Sequence, residues 1–519
     1  MAKSFVKSAG ILALSVILAK VLGAVYRIPL TSIVGAEGMG LYQYVYPVFA
    51  LLLTLSSGAV PNAIGITVSE RVSVGDEEGA KKAFAVAMKL CLIIGSVGTA
   101  ILAAIAYPLS LLQSKDAFIG HLSIAPAIFI VTLISAYRGW FMGHNDLRPS
   151  SLSQLTEGIV KLAVGLGLAA FLSRYGIRYA VAGALLGVVA SEAVTLLIMS
   201  VTFGVKEKRM VKVKLREEKD TIKRLKEVAF PLVLCGMILP VSQFTDSLLV
   251  ANLLKWGGYE NPTATYGLWS GVVTPLINLP VMICITLGIA VTPQMVEGRQ
   301  KRDVDFILEK ANTVNKLTFF MGVPFTFLYV FMAQGIVGTL YPRLQESDIS
   351  LAVEILRISA PSVLGLSVFQ IYSAMLQGLG RAKVPLKIMA TCMGVKLLLT
   401  VVLTPIVGIK GSAISSVVGY VGSGVWITAY FGYFAKLDAE YVKNAGLICL
   451  CGVIMSTVLF LCTALQTSVL AVVGIGAVAT TTYILSVLLL KVFKKEELMS
   501  LPLSKVWLKL DEKINGENK

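Results

Sequence analysis

The sequence predicts an all-α integral membrane protein with about fourteen transmembrane helices, arranged as two pseudo-symmetric six-helix lobes and two extra C-terminal helices. Hydrophobic residues make up 56% of the 519 residues and charged residues only 15%, well below the roughly 25% that is usual in soluble domains. Apolar runs of about 20 residues, enough to cross a bilayer core of about 30 Å, recur along the whole chain. One stretch of the sequence also occurs twice.

The repeated stretch is Ala125–Lys161, and its second copy is Ala360–Lys396. Each copy contains an apolar helix, a polar turn with glycine, and a second apolar helix that carries a deep lysine. The offset of about 235 residues is too long for a solenoid repeat and is typical of a duplicated half. A functional site is therefore expected between two homologous halves.

The apolar runs give the predicted helices in order, and most contain Gly or Pro. Such residues are tolerated in a helix bundle because neighbouring helices satisfy the freed backbone groups. The runs lie at 8–33, 40–66, 83–107, 118–142, 151–173, 179–203, 227–254, 266–293, 312–340, 350–378, 385–407, 411–434, 444–465 and 468–492.

The runs also define the predicted domains. These are an N-lobe of helices 1–6 (1–205), a basic cytoplasmic linker (206–226), a C-lobe of helices 7–12 (227–435), helices 13–14 (436–492) and a cytoplasmic amphipathic tail (493–519). Because each half has six spans, both halves keep the same orientation, which makes the duplication a parallel repeat. Helices 13 and 14 have no counterpart in the repeat, and Lys494–Lys513 is predicted to form a helix on the membrane surface.

The net charge of +16 is concentrated in short segments between apolar runs. Alternate loops hold about thirty Lys and Arg residues against six in the others, so both termini are predicted to face the cytoplasm of a bacterial cell. This distribution indicates a multi-pass protein of the cytoplasmic membrane in contact with lipid headgroups, and it argues against nucleic acid as a partner.

Ionisable side chains at membrane depth are expensive and should face a wet cavity or a partner. Glu157 and Lys161 have the i, i+4 spacing of an intrahelical ion pair, whereas Arg138 and Lys89 lie near helix ends and are expected to extend to the membrane surface. Glu192 lies in the middle of helix 6. The candidate cavity residues are Lys20, Arg27, Glu157, Lys161, Asp246 and Lys396, together with the polar residues Gln43 and Asn278.

These candidates predict a cationic chamber, because lysine and arginine outnumber the acidic residues in it. A cationic chamber suits an anionic substrate such as a pyrophosphate. The sequence contains no HExxH, P-loop or GxSxG motif, and its cysteines and two histidines form no metal-binding spacing. We therefore expect a carrier without cofactor or metal, driven by the membrane potential or by a coupling ion, Na+ or H+.

Several segments resemble a known family. They are Lys20–Leu30, Gly35–Tyr42, Tyr46-Pro47, Val68–Glu70, Tyr137–Gly143, Arg148-Pro149 and Ser153-Gln154 with Glu157 and Lys161. These segments resemble the stage V sporulation protein B group of polysaccharide biosynthesis flippases. That group belongs to the multidrug/oligosaccharidyl-lipid/polysaccharide exporter superfamily and is related to the lipid II flippases of peptidoglycan synthesis.

The resemblance implies alternating access by two lobes around a central cavity, with the last two helices forming a groove for a polyprenyl tail. It also implies that basic residues of helix 1, here Lys20 and Arg27, bind the substrate. The chain departs from its relatives at Gly65-Ile66 and at Ser270–Val272, where basic residues are missing. These departures leave lipid-linked glycans other than lipid II open as the substrate.

The sequence therefore predicts a flippase that moves a polyprenyl-pyrophosphate-linked saccharide from the inner to the outer leaflet. The process served would be cell-wall, spore-cortex or surface-polysaccharide assembly. The alternative is a cation-coupled multidrug antiporter of the same fold, which predicts twelve spans and a more acidic cavity. An integral-membrane glycosyltransferase is disfavoured because the chain has no large outer loop.

Overall fold

The computed structural model describes residues 2–206, 211, 213–215, 218–435, 439–462, 468–493 and 497. Every regular element in these ranges is a helix, which confirms the predicted all-α class. By their contacts the residues form two compact units, unit 1 (Met1–Val272) and unit 2 (Val273–Lys519). The predicted tail helix at Lys494–Lys513 lies outside the described residues, apart from Glu497.

Unit 1 contains nine α-helices among its described residues. They are α1 (Ala2–Ser57), α2 (Val60–Ser73), α3 (Glu77–Leu112), α4 (Ala117–Gly143), α5 (Arg148–Leu172), α6 (Ile177–Lys206), α7 (Lys219–Gly236), α8 (Ile238–Trp256) and α9 (Pro262–Gly267). A short 3-10 turn (Ser173–Tyr175) joins α5 to α6, and a π-helical turn (Leu268–Val273) follows α9.

Unit 2 contains the remaining helices of the described residues. They are α10 (Thr274–Lys301), α11 (Val304–Phe331), α12 (Ala333–Leu340), α13 (Glu346–Ser359), α14 (Pro361–Gly378), α15 (Lys383–Val407), α16 (Ile409–Ala435), α17 (Ala439–Leu461) and α18 (Val469–Leu489). The division of the chain into six-helix lobes at 1–205 and 227–435 stays a prediction from the repeat.

Local sequence explains where many helices begin. Proline stands in the first turn of α2, α5, α9 and α14, where its missing N–H leaves no bond unmade. Asp76, Asp303 and Ser468 cap α3, α11 and α18 by accepting a backbone N–H through their side chains. Such a cap typically stabilises a helix by about 1 kcal/mol.

The longest helix, α1, is broken at Gly35. Its 56 residues include non-helical geometry at Gly35 (φ 66°, ψ −172°), a left-handed φ that glycine adopts without a steric penalty. The sequence placed the gap between the first two spans at 34–39, so this break is the predicted boundary between them.

The number of membrane spans agrees with the prediction of about fourteen. Among the described residues, eleven helices are long and apolar enough to cross a membrane, or up to thirteen if each bent helix pair is one span. That number counts Leu22–Ser73 once, although its 52 residues make a path of about 78 Å. Such a path exceeds twice the bilayer core of about 30 Å, so the count is roughly consistent with the predicted fourteen.

Each unit has its own aromatic core. In unit 1, Phe84 of α3 contacts Trp140 of α4 and Phe203 of α6, with ring centroids 5.2 and 4.8 Å apart. In unit 2, α17 and α18 cover α11, and the Tyr483 hydroxyl donates to the Phe320 carbonyl at 3.1 Å. The last two helices are therefore part of the core of unit 2.

The described part of the linker belongs to unit 1 and packs against its helices. Val213 and Leu225 are buried in the core that contains α3 and α4, and the Lys89 ammonium donates to the Val213 carbonyl. Arg224 also pairs with Glu70 of α2. Lys89, expected to extend to the membrane surface, therefore contacts the predicted cytoplasmic linker.

Candidate functional site

A cluster of charged side chains lies among α4, α5 and α6. The guanidinium Nη2 of Arg138 on α4 is 3.0 Å from the Oε2 of Glu157 on α5. Glu192 on α6 is only 7% exposed and lies within electrostatic range of Glu157 and Arg138. Because charges at membrane depth persist only with partners or water, these three residues form a functional candidate.

The packing of the three helices brings these side chains together. α4 and α5 are joined by the short connection 144–147, and both pack against α6. α5 and α6 cross at Gly165 and Gly187, where the backbones touch: a Cβ added to Gly187 would lie 2.1 Å from the Gly165 Cα. Small residues permit this close approach between membrane helices, and it packs α5, which carries Glu157, against α6, which carries Glu192.

Lys161 lies one helical turn beyond Glu157 and faces α1. Its ammonium is 5.3 Å from the ring centroid of Tyr26 and 5.6 Å from that of Tyr46. Tyr42 stacks on Tyr46 with ring centroids 5.6 Å apart. Cation–π contacts of this kind are worth about 0.5–2 kcal/mol each, more when desolvated. The tyrosine rings therefore hold a positive charge inside the helix bundle.

Arg27 adds a second cation next to these rings. It is half-buried on α1 and lies within electrostatic range of Tyr42 and Lys161. The site thus combines three cations (Arg27, Arg138 and Lys161) with two carboxyl groups (Glu157 and Glu192). Its formal charge remains positive even when both carboxyl groups are ionised.

Lys396, the counterpart of Lys161 in the second repeat copy, lies in unit 2 on α15. It is 2% exposed, and its ammonium is 6.0 Å from the Tyr420 ring centroid. Gly419 on α16 comes close to the lysine side chain, because a Cβ there would be 3.0 Å from the Lys396 Cβ. Both repeat copies therefore place their lysine against tyrosine, although the neighbouring sequences differ.

The structure places the other predicted residues elsewhere. Gln43 is buried and donates through Nε2 to the Ser270 carbonyl at 2.5 Å, and Asp246 on α8 is buried near Tyr266. Asn278 is half-buried on α10 of unit 2. The described side chains of α1 are Leu18 and those from Leu22 onward, so the side chain of Lys20 lies outside the described residues.

Sequence reasoning missed Arg138 and the tyrosines of α1. Arg138 was expected to extend to the membrane surface, yet its side chain is 21% exposed and pairs with Glu157. The short connection between α4 and α5 could have predicted the Arg138–Glu157 pair, because two helices joined by a short loop lie side by side and their facing side chains meet. Lys161, expected to pair with Glu157 within α5, lies over the α1 rings.

Among the described residues, no group of three or more His, Cys, Asp or Glu side chains could hold a metal ion. The six cysteines whose positions are described are free thiols.

Exchanging the charges of Arg138 and Glu157 tests whether they act as a pair. We expect R138E and E157R each to lower the apparent Tm of the purified protein, since each leaves like charges facing one another across α4 and α5. The double variant R138E/E157R should recover at least half of the loss, because opposite charges then face each other again. Tm would be measured by heating followed by size-exclusion chromatography.

The exposed pair Lys82–Glu78 serves as the control for this exchange. These side chains are 43% and 74% exposed and 3.0 Å apart, and exposed pairs contribute about 0–1 kcal/mol. K82E and E78K should therefore leave the Tm nearly unchanged. Additive losses in R138E/E157R would show that the Arg138–Glu157 contact does not stabilise the site.

The arrangement of helices matches that of solved membrane transporters. A multidrug resistance MATE family transporter of the MOP superfamily, in its inward-facing conformation, superposes with a TM-score of 0.66 at 17% identity. The match covers 81% of this chain and 96% of that one. The chain is therefore a multi-pass membrane protein with the fold of MOP superfamily transporters.

Sequence comparison gives the family. The family model described as polysaccharide biosynthesis protein matches residues 5–299, and the MatE model matches residues 231–402. The first match spans more than half of the chain, so the chain belongs to the polysaccharide biosynthesis protein family. The resemblance noted from the sequence is thereby confirmed.

Two relatives cover most of the chain. Stage V sporulation protein B of Bacillus subtilis (strain 168) is 27% identical over an alignment of 520 positions, which covers 96% of this chain and 98% of that protein. The lipid II flippase MurJ of the same organism is 23% identical over an alignment of 467 positions, which covers 84% of this chain and 85% of that protein.

Proposed function

We propose that this protein is a flippase for a polyprenyl-pyrophosphate-linked saccharide, either lipid II or another lipid-linked oligosaccharide. It moves the substrate from the inner to the outer leaflet by alternating access of its two lobes, 1–205 and 227–435. The observation that carries the proposal is the ammonium of Lys161 held over Tyr26 and Tyr46, inside a chain of the polysaccharide biosynthesis protein family.

The physical reason is the cost of taking a pyrophosphate into a membrane. Opposite unit charges about 4 Å apart attract by about 4 kcal/mol at the effective dielectric constant of a protein. Arg27 and Lys161 provide such attraction, and the tyrosine rings offer faces on which sugars can pack. The polyprenyl tail needs no site of this kind because it is already soluble in lipid.

The remaining parts of the proposal concern location and energy. The distribution of Lys and Arg supports a bacterial cytoplasmic membrane with both termini in the cytoplasm. Membrane lipids surround the chain, and the apolar pair α17–α18 is the proposed contact for the substrate tail. The transport cycle is driven by the membrane potential, by Na+ or by H+, and it requires no nucleic acid, metal or cofactor.

A cation-coupled multidrug antiporter is the second candidate, favoured by the likeness to a MATE family transporter. That likeness, at 17% identity, supports the fold and not the substrate. The three cations of the site would repel a cationic drug and attract a pyrophosphate. The charge of the site therefore favours the flippase.

Complementation tests the proposed function directly. Expression of this chain in a strain depleted of its own lipid II flippase should restore growth and the accessibility of lipid II in the outer leaflet. A chain that reaches the membrane at normal levels without restoring either would exclude lipid II as the substrate. Glycan export in a strain lacking a surface-polysaccharide flippase would then test the other lipid-linked oligosaccharides, and failure there too would contradict the proposal.

A further inference from the structure

A buried ion pair lies in unit 2, in the first half of α11. Lys316 is 1% exposed, and its ammonium donates to both carboxyl oxygens of Glu497, at 3.1 and 3.0 Å. The Thr313 hydroxyl, one turn earlier on α11, also donates to Glu497, at 3.4 Å. A cation at membrane depth needs such a partner, so Glu497 compensates the charge of Lys316.

The carboxylate comes from the segment that follows α18. Phe493 of this segment is 8% exposed and packs edge-on against Phe320 of α11, with ring centroids 5.6 Å apart. Phe493 and Glu497 are four residues apart, as are Phe320 and Lys316. Glu497 therefore reaches α11 one helical turn nearer to the beginning of that helix than Phe493 does.

Lys316 lies next to the part of α11 that α17 and α18 cover. Phe320, one turn further along α11, belongs to a core with Ile448 of α17 and Tyr483 of α18, and its ring stacks on Tyr483 at 5.5 Å. The sequence predicts that α11 begins and α18 ends on the cytoplasmic side. A lipid whose tail lies against α17 and α18 in the inner leaflet would therefore hold its headgroup near the depth of Lys316.

The burial of Lys316 restricts how Glu497 can leave it. Removing one partner of a buried ion pair leaves an uncompensated charge and is strongly unfavourable, whereas exchanging one anion for another keeps the charge compensated. A phosphate group accepts hydrogen bonds from a lysine ammonium as a carboxylate does. An anion in solution has little access to a side chain that is 1% exposed, but a lipid-linked pyrophosphate reaches this depth with its tail still in the bilayer.

We propose that Lys316 is a loading site for the pyrophosphate of the lipid-linked substrate, and that Glu497 blocks this site until the substrate displaces it. The contact between Lys316 and Glu497 is thus autoinhibitory, and the exchange makes or breaks no covalent bond. The identity of the ligand rests on the proposed function, and the site deepens that function by adding a second position for the headgroup.

The two anions exclude each other at one cation, so each weakens the binding of the other by the same factor. E497Q removes the competing charge and should bind geranylgeranyl pyrophosphate roughly 5- to 150-fold more tightly than the wild type, the usual range of such coupling. K316M/E497Q should lose this gain because it has no cation at the site. Equal affinity in the wild type and E497Q would overturn the competition.

Hydrogen exchange of the full-length protein in phosphatidylcholine nanodiscs tests the displacement itself. Amide protection reports how often a segment opens, so the peptide that spans 490–500 should be protected in the wild type. Saturating geranylgeranyl pyrophosphate should speed its exchange by about fivefold or more. K316M/E497Q leaves no buried charge unpaired, so it should keep the fold, which size-exclusion chromatography would check, and its exchange should not respond to the probe.

The exposed pair Lys410–Glu354 supplies the matched control in unit 2. Its atoms are 2.7 Å apart and its side chains are 45% and 48% exposed, so E354Q should keep the wild-type response to the probe. Free pyrophosphate at the same concentration should leave the exchange of the 490–500 peptide unchanged. Phosphatidylglycerol nanodiscs without the probe should leave it unchanged as well.

The outcomes separate the loading site from the proposed function. An unchanged exchange rate in the wild type, or a response that persists in K316M/E497Q, overturns the loading site. Equal acceleration by free pyrophosphate or by phosphatidylglycerol overturns the lipid-linked substrate as its ligand, and assigns the site to soluble anions or to bilayer lipids. Complementation without a response to the probe rejects the loading site alone, whereas a response in a protein that complements no flippase contradicts the proposed function alone.

Discussion

Replacement of Lys161 by alanine is expected to abolish flipping without impairing membrane insertion. The side chain supplies the cation that lies over Tyr26 and Tyr46, and its removal leaves a headgroup facing the carboxyl groups of Glu157 and Glu192. Losing a charge about 4 Å from a pyrophosphate removes up to about 4 kcal/mol of attraction at the effective dielectric constant of a protein, which corresponds to a loss of up to roughly a thousandfold. The outer-leaflet accessibility assay would measure the loss.

The same substitution at Lys396 should have an effect of similar size. Lys396 is the repeat counterpart of Lys161 and is 2% exposed against Tyr420. Lys115→Ala is the control because Lys115 is exposed in the α3–α4 connection, and it should keep full activity. Near wild-type flipping in both K161A and K396A, with normal protein levels by immunoblot, would contradict a cationic substrate site.

Much of the fold could be predicted from run length, because only helices satisfy their own backbone within lipid. The sequence left 34–39 between its first two apolar runs, and the break at Gly35 lies in that interval. The bends of 51° between α7 and α8 and of 45° between α13 and α14 were missed, since hydropathy records burial and not the direction of the backbone. Gly236 and Pro361 mark those bends, but they resemble the glycines and prolines that leave other helices straight.

The site was harder to predict than the fold. Their depth in a span indicated Lys161 and Lys396 as candidates, because a charge that cannot reach the membrane surface needs a partner or a water-filled cavity. The partners could not be predicted, because spacing along α5 gives the neighbours of Glu157 on its own helix and not those on α4 and α6. Arg138 and Glu192 become its partners only through the rotation of three packed helices, which depends on where small residues allow close contact.

Gly187 is one of those small residues, and Gly187→Ala is expected to destabilise unit 1. A Cβ at this position would meet the Gly165 Cα at 2.1 Å and the Gly165 N at 2.6 Å, so α5 and α6 must move apart. Overpacking of this kind costs about 1–3 kcal/mol, which should lower the apparent Tm by roughly 5 °C. The separation should also move Glu157 on α5 away from Glu192 on α6.

Gly167→Ala is the matched control for this change. Gly167 lies on α5, is exposed, and has no atom within 4 Å of an added Cβ. Alanine favours a helix over glycine by up to about 1 kcal/mol, so G167A should keep or raise the Tm while G187A lowers it. Measuring both variants separates the intrinsic preference for helix from the contact between the helices. Equal Tm values would show that the α5–α6 crossing at Gly165 and Gly187 tolerates a methyl group.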